Sequence, residues 1–224
     1  MIDQAPLASN SEGDNPLGRT QLSRERVALE ALDIIDRDGL SGLSMRKLGG
    51  ALGVEAMSIY HYVTSKDDLL DAVLDLLYGK IEIAELFDQD QWEAVFLRAV
   101  RSFNQVLLDH PNTVALFVGR PASRSREGFD TFFSGYAVMR RAGICPADAH
   151  CIVNLAVAFL VGNAVLRAGV AEAGRSVDLL PPGLSLDGDI AEFVLSGREL
   201  TDDAVFERGL TVLVRGLRSN YGLP

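Results

Sequence analysis

The chain has 224 residues, 48% of them hydrophobic and 23% charged, which suits one large or two smaller globular units and excludes a polar, low-complexity chain. Its formal net charge of -10 argues at face value against a nucleic-acid partner, because phosphate binding draws on positive charge. The acidity is uneven, however: residues 19–66 carry seven basic side chains against six acidic ones, whereas residues 67–224 carry 14 against 22.

In chain order, the start MIDQAPLASNSEGDNPLG has neither a basic n-region nor an apolar core. It reads as a disordered polar tail over residues 1–20 rather than a signal peptide. Leu22 to Asp38 places Val27, Ala31, Ile34 and Ile35 on one helical face, with Gly39 as the stop. Ser44 is the expected N-cap of a second helix whose inward residues are Met45, Leu48 and Leu52, and Gly53 ends it. A third short helix is expected over Ala56–Tyr62, with Ile59 and Val63 inward. Ser65 and Asp68 form a capping-box-like pair opening a fourth helix that runs towards Leu86. Further helical periods cover Gln91–Asp109, Thr113–Val118, Arg124–Ala142, Pro146–Ala173 and Asp202–Asn220. Arg175–Gly197, with its Pro-Pro-Gly, reads as a long mobile loop. No run alternates like a half-buried strand, so the fold class is all-α.

Cys145 and Cys151 are too few for a disulfide framework and are expected to be reduced, mostly buried thiols in the cytosol. CPADAHC adds His150, but no further His or Cys lies close by in sequence, so neither a metal site nor a cofactor is expected. The apolar run IVNLAVAFLVGNAVL is broken by two asparagines and a glycine and falls short of a bilayer span.

The most informative stretch is MRKLGGALGVEAMSIYHYVTSKDDLL, residues 45–70. A helix of about eight residues, a glycine turn and a second short helix make the helix-turn-helix pattern. Met57, Ser58, Tyr60, His61 and Tyr62 are left facing outward, and hydroxyls and an imidazole bond phosphates or base edges without much positive charge. Arg46 suits a bidentate guanine contact, and Lys66 with the first-turn amides of the fourth helix suits a phosphate. A duplex therefore needs only a few local donors, whatever the total charge.

Over Leu22–Leu70 the chain resembles the DNA-binding module of the TetR/AcrR family. The resemblance is carried by ALEALDIIDRDGLSGLS, LSMRKLGGALGV and SIYHYVTSKDDLL. It extends more weakly through SFNQVLLDH, VALFVGRP, AFLVGNAVL and VFERGLTVLVRGLRSN to the tetracycline-repressor subgroup. It implies an N-terminal three-helix DNA-binding domain over 21–66 and a C-terminal helical bundle over 67–224 for ligand binding and dimerisation. It also places Arg46, Ala56, Met57, Ser58, Tyr60, His61, Tyr62 and Lys66 where the family contacts DNA. The sequence departs from the family at Gly49-Gly50, each glycine costing about 1 kcal/mol in a helix interior. The magnesium-binding histidine of the sixth helix in tetracycline repressors falls at Leu116, and a carboxylate of the eighth falls at about Arg167. Those two positions argue against magnesium-chelated tetracycline as the effector.

Phe103, Leu107, Phe117, Phe132, Phe133, Tyr136 and Met139 are individually core-forming types, yet an apolar bundle with sparse polar groups is where an effector pocket forms. The candidates for ligand contact are Phe103, Leu107, Leu116, Phe133, Tyr136 and Asn154. Asn154 and Asn163 need partners inside an apolar helix, whether core, dimer or ligand. Phe206/Leu213 and Gly209/Gly216 repeat at seven along the last helix, opposite a small-residue face at Ala156, Gly162 and Asn163. Intrachain packing would explain that stripe; the family resemblance implies a two-fold four-helix dimer interface instead. The resulting expectation is a homodimeric, ligand-released repressor of a palindromic double-stranded operator, cytoplasmic, with no membrane partner and no enzymatic activity. The alternative is a helical-bundle carrier or enzyme that does not bind DNA.

Overall fold

The computed structural model describes residues 22–82, 92–120, 126–172 and 200–223, with five more between 188 and 196. The expected tail over 1–20, the helix extension to Leu86 and nearly all of the Arg175–Gly197 loop lie outside the described residues. Among the described residues every regular element is helical. The helices are α1 (Arg24–Gly42), α2 (Met45–Leu52), α3 (Ala56–Ile59), α4 (Lys66–Gly79), α5 (Trp92–Asp109), α6 (Val114–Gly119), α7 (Arg126–Arg141), α8 (Pro146–Glu172) and α9 (Asp202–Tyr221). A 3-10 turn over Pro111–Thr113 precedes α6.

The helix starts follow from side-chain caps. Ser23, Ser44, Ser65 and Thr201 each accept a hydrogen bond from a backbone N–H in the first turn of α1, α2, α4 and α9. α1 breaks at Gly39, whose φ of 73° and ψ of 171° no helical residue adopts, and a last turn runs on to Gly42. Gly53 closes α2 in the left-handed region at φ 70°, taking its N–H back to the Gly49 and Gly50 carbonyls. The Asp68 carboxylate does not complete the expected capping box. It bonds Thr64, one residue before the cap, through both the backbone N–H (2.7 Å) and the hydroxyl (3.0 Å).

α4 is the shared element. Its Leu69, Val73, Leu74 and Leu77 are buried, and it packs against α1 on one side and α6 and α7 on the other. A second tie joins the N-terminal helices to the body. His110 lies between Asp36 of α1 (Nδ1 to Oδ2, 2.7 Å) and Lys80 after α4 (Nε2 to Nζ, 2.9 Å). An ammonium only donates, so Nε2 is the acceptor and Nδ1–H donates to the carboxylate. Asn112 donates to the Ile35 and Asp36 carbonyls beside it.

Two expectations are corrected here. Cys145 and Cys151 are exposed, not buried. Cys145 is the residue before Pro146 and caps α8: its thiol lies 3.5 Å from the Asp148 N–H and 3.2 Å from the Asp148 carboxylate. α8 is also long and apolar enough over Pro146–Gly169 to cross a membrane, contrary to the reading of its apolar run, although a third of that window is buried in the chain.

Candidate nucleic-acid interface and effector cavity

The turn joining α2 to α3 folds back on α2 so closely at Gly49 that no side chain would fit there. A Cβ on Gly49 would stand 2.8 Å from the Val54 carbonyl oxygen and 3.1 Å from the Ala56 nitrogen. Leu48, Ile59 and Val63 anchor this pair of helices in the core at no more than 1% exposure. α3 is shorter than expected. Beyond Ile59 the chain tightens into bonds from Tyr60 N–H to the Met57 carbonyl and from Tyr62 N–H to the Ile59 carbonyl.

On the outer surface, Arg46, Met57, Tyr60, His61 and Lys66 are exposed and Ala56 and Ser58 are half-buried. Met57 is 72% exposed and Tyr60 43%. Arg46 makes no ion pair among the described residues, whereas the neighbouring Lys47 is paired with Asp38 at 2.8 Å. Two of the expected groove contacts have internal duties. Tyr62 packs half-buried against the core, and its carbonyl accepts from Arg24. Lys66 donates from Nζ to the Leu43 carbonyl at 2.7 Å, bracing the start of α4 on the α1–α2 joint. Arg24 grips the same corner through Asp68 at 2.6 Å. That hydrogen bond, more than the opposing burial, holds the Asp68 carboxyl well below the usual carboxylate range.

A cavity of about 410 Å³ opens between α4, α5, α6, α7 and α8. Of the candidates for ligand contact, Phe103 and Asn154 line it. Leu107 and Leu116 do not; they are buried at 1% and 4% in the core behind it. Phe133 and Tyr136 do not either, because α7 turns Phe133 out to stack parallel on Phe129 with Tyr136 alongside. Further aromatic wall comes from Tyr78, Phe96, Phe117 and Phe132. Burial pushes the Tyr78 hydroxyl up to about 12, so it stays protonated.

Arg120, just past α6, is the residue that sequence reading missed. It lines the cavity and clamps α4: Nη2 meets the Asp67 carboxylate at 2.6 Å, and Nη1 meets Asp71 at 2.5 Å and the Asp67 carbonyl at 3.1 Å. Burial works against its charge, and the two carboxylates more than offset that, leaving its pKa raised. The available signal was Asp67 and Asp71 at a spacing of four, which places two like charges on one helical face and calls for a cation.

The residues of the expected dimer stripe divide between the interior and the surface of the chain. Ala156 and Phe206 are buried within the chain, and Asn163 donates to the buried Asn104 at 3.1 Å. The close approach at Gly209 is to the chain's own Phe159, whose ring would stand 2.8 Å from a Cβ added there and stacks on Phe206. Gly162 is exposed, and Leu213 and Gly216 are half-buried. The outward apolar residues lie one step round the helices: Leu155, Val165 and Leu166 on α8, and Val205 and Val212 on α9, all between 51% and 73% exposed.

Residues 30–73 match the family model for bacterial regulatory proteins of the tetR family, and residues 86–178 match the tetracyclin repressor-like C-terminal domain. The chain is 31% identical over 205 residues to the class A tetracycline repressor protein of Escherichia coli, covering 88% of this chain and 91% of that protein. It is 29% identical over 214 residues to an HTH-type transcriptional regulator of Saccharopolyspora erythraea, covering 90% and 87%. Among solved structures, ActR of Streptomyces coelicolor in complex with actinorhodin superposes with a TM-score of 0.79 at 25% identity, covering 90% of this chain and 97% of that one.

Proposed function

The chain belongs to the TetR family of bacterial transcriptional regulators, and from that premise we propose a homodimeric repressor that leaves its operator when a small, mostly apolar effector fills the cavity. The carrier or enzyme alternative is not favoured, because the relatives are named as regulators. Residues 21–66 act as the DNA-binding head and residues 67–224 as the effector and dimerisation body, with 1–20 as a tail. Arg46, Ser58, Tyr60 and His61 supply polar contacts, and Met57 and Ala56 supply apolar contact of the kind made to a thymine methyl. Lys66 and Tyr62 act mainly by fixing the recognition helix, with the remaining Lys66 N–H groups free for a phosphate.

A palindromic operator requires two heads about one DNA turn apart, hence two copies. The exposed apolar faces of α8 and α9 are the surface for that pairing, and we read them as subunit contact, not lipid contact. Gly162, Leu213 and Gly216 border this face; Ala156, Asn163, Phe206 and Gly209 support it from within. The protein works in the cytoplasm, where its operator is.

The observation that carries effector control is Arg120, which lines the cavity and clamps the first turns of α4, the helix that follows the recognition helix. An occupant that shifts Arg120 moves α4 and so the head, and ligand and operator weaken each other reciprocally. To test this, small aromatic molecules are screened for release of a duplex from the chain's own upstream region. Compounds that release the wild type should affect the Arg120→Gln complex at least about tenfold less. Equal release of both proteins would exclude this route.

A further inference from the structure

We propose that His110 is a proton-sensitive latch on operator binding. Neutral, it ties the end of α4 to the tail of α1 and keeps the head set for the operator. Protonated, it releases α4, and the operator is held more weakly. The inference rests on the regulator reading above and adds a second chemical input to it, the proton.

The latch lies where α1, the end of α4 and the turn before α6 converge. Asn112 donates to the Ile35 and Asp36 carbonyls, just ahead of the break in α1 at Gly39, so the turn is fixed to α1 by bonds that no proton alters. Beside it, the His110 ring donates from Nδ1 to Asp36 at 2.7 Å and accepts at Nε2 from Lys80 at 2.9 Å. Lys80 is the residue that closes α4, two places after Tyr78 of the cavity wall.

Imidazole is the side chain whose charge changes near neutral pH. A proton added at Nε2 removes the lone pair that Lys80 uses and sets two cations at hydrogen-bond distance. The ring is only 14% exposed, so solvent does little to screen that repulsion. Of the two partners Asp36 is the one that holds. Its bond becomes charge-assisted, and its other oxygen is buried with no hydrogen-bond partner among the described residues. Lys80 is exposed and turns to water.

The neighbouring charges of the described residues are engaged elsewhere or face solvent. Asp109, at the end of α5, is exposed and accepts from Gln105 at 2.8 Å. On α1, Asp33 is exposed and Arg37 pairs with Asp38 at 2.9 Å. On α4, Asp71 and Asp75 bear on Arg24, and Glu82 beyond it is exposed. α6 carries no charged side chain. Once Lys80 lets go, this turn no longer ties the far end of α4 to α1. The head then samples more orientations, and ordering it on the operator costs more. Proton and operator therefore weaken each other reciprocally.

The test follows affinity for a fluorescent duplex from the chain's own upstream region by anisotropy, at fixed salt, from about pH 8 to about pH 5.5. His110→Gln keeps a donor and an acceptor on one amide but takes no proton. Lys80→Gln offers His110 a donor when the ring is neutral and an acceptor when it is charged, so nothing breaks. His61 and His150, the other two histidines, are present in all three proteins, and comparison with wild type isolates the latch. Over that range wild type should lose at least about threefold more affinity than either variant. Parallel profiles in all three would overturn the inference. Lys80→Gln, at an exposed side chain, decides alone should His110→Gln not fold. Nitrogen-15 spectra of the free chain give a reading independent of DNA. At about pH 8 the His110 proton should sit on Nδ1, and acidification should shift the Lys80 side-chain signal together with the ring. A proton on Nε2 at the start, or a Lys80 signal that ignores the ring, would overturn the latch. If wild type binds no duplex at any pH, the regulator reading fails, and the spectra still decide whether His110 releases Lys80.

Discussion

A Cβ added at Gly49 would meet the Val54 carbonyl oxygen at 2.8 Å, while one added at Gly50 would meet nothing within 4 Å. The two glycines therefore predict opposite outcomes by urea unfolding. Gly49→Ala should destabilise by about 1–3 kcal/mol, because the obstructing atom is backbone and cannot swing aside. Gly50→Ala should stabilise by roughly 0.5–1 kcal/mol through helix propensity alone. Asp68 gives a pH-dependent case. Its folded-state pKa is depressed by Arg24 first and the Thr64 bonds next, so its contribution is complete above the unfolded value of about 3.9 and is lost as pH falls from there through the folded value. At pH 6, Asp68→Asn should be less stable by about 1–2 kcal/mol, a figure reduced for the partial exposure of the pair. The gap between variant and wild type should narrow when both are unfolded at pH 2.5. A constant gap would assign the loss to packing.

At the scale of elements, His110 fastens α1 to the 3-10 turn and to Lys80. His110→Ala should lower the unfolding free energy by about 1–3 kcal/mol, since it strands Asp36, whose other carboxylate oxygen is already buried with no hydrogen-bond partner among the described residues. Differential scanning calorimetry with Asn112 intact would measure it. Most element boundaries were legible because serine and threonine caps and left-handed glycines are local signals. Ser44, Gly53 and Ser65 each act at the helix ends their residue types predict. What was not legible depends on which neighbour a face meets. The seven-residue repeats Phe206/Leu213 and Gly209/Gly216 mark a helix contact, and sequence alone could not say that the neighbour at Phe206 and Gly209 is Phe159 of the same chain. Phe133 and Leu107 share an aromatic or aliphatic character with the true cavity residues, and only the rotation of α7 and α5 separates wall from core and surface. Arg120 escaped because its meaning lies in Asp67 and Asp71, some fifty positions away.

At the scale of the whole molecule, the proposed function couples two surfaces through one helix and one subunit contact. Val212 on α9 is 70% exposed, so an aspartate there disturbs no intrachain packing and should still prevent association. Val212→Asp should run as a monomer in light scattering at concentrations where the wild type is a dimer, with an unchanged helical circular dichroism spectrum. An acidic body also suits this architecture, since it keeps nonspecific duplex binding weak and leaves the two heads to set affinity. The most direct measurement is the affinity for a fluorescent duplex from the chain's own upstream region, followed by anisotropy as salt rises from about 50 to 200 mM. Wild type should bind with an affinity that falls steeply with salt, and Arg46→Ala and Val212→Asp should each weaken it at least about tenfold. Salt-independent binding, or affinities unchanged in both variants, would contradict a dimeric regulator that grips DNA through α2 and α3.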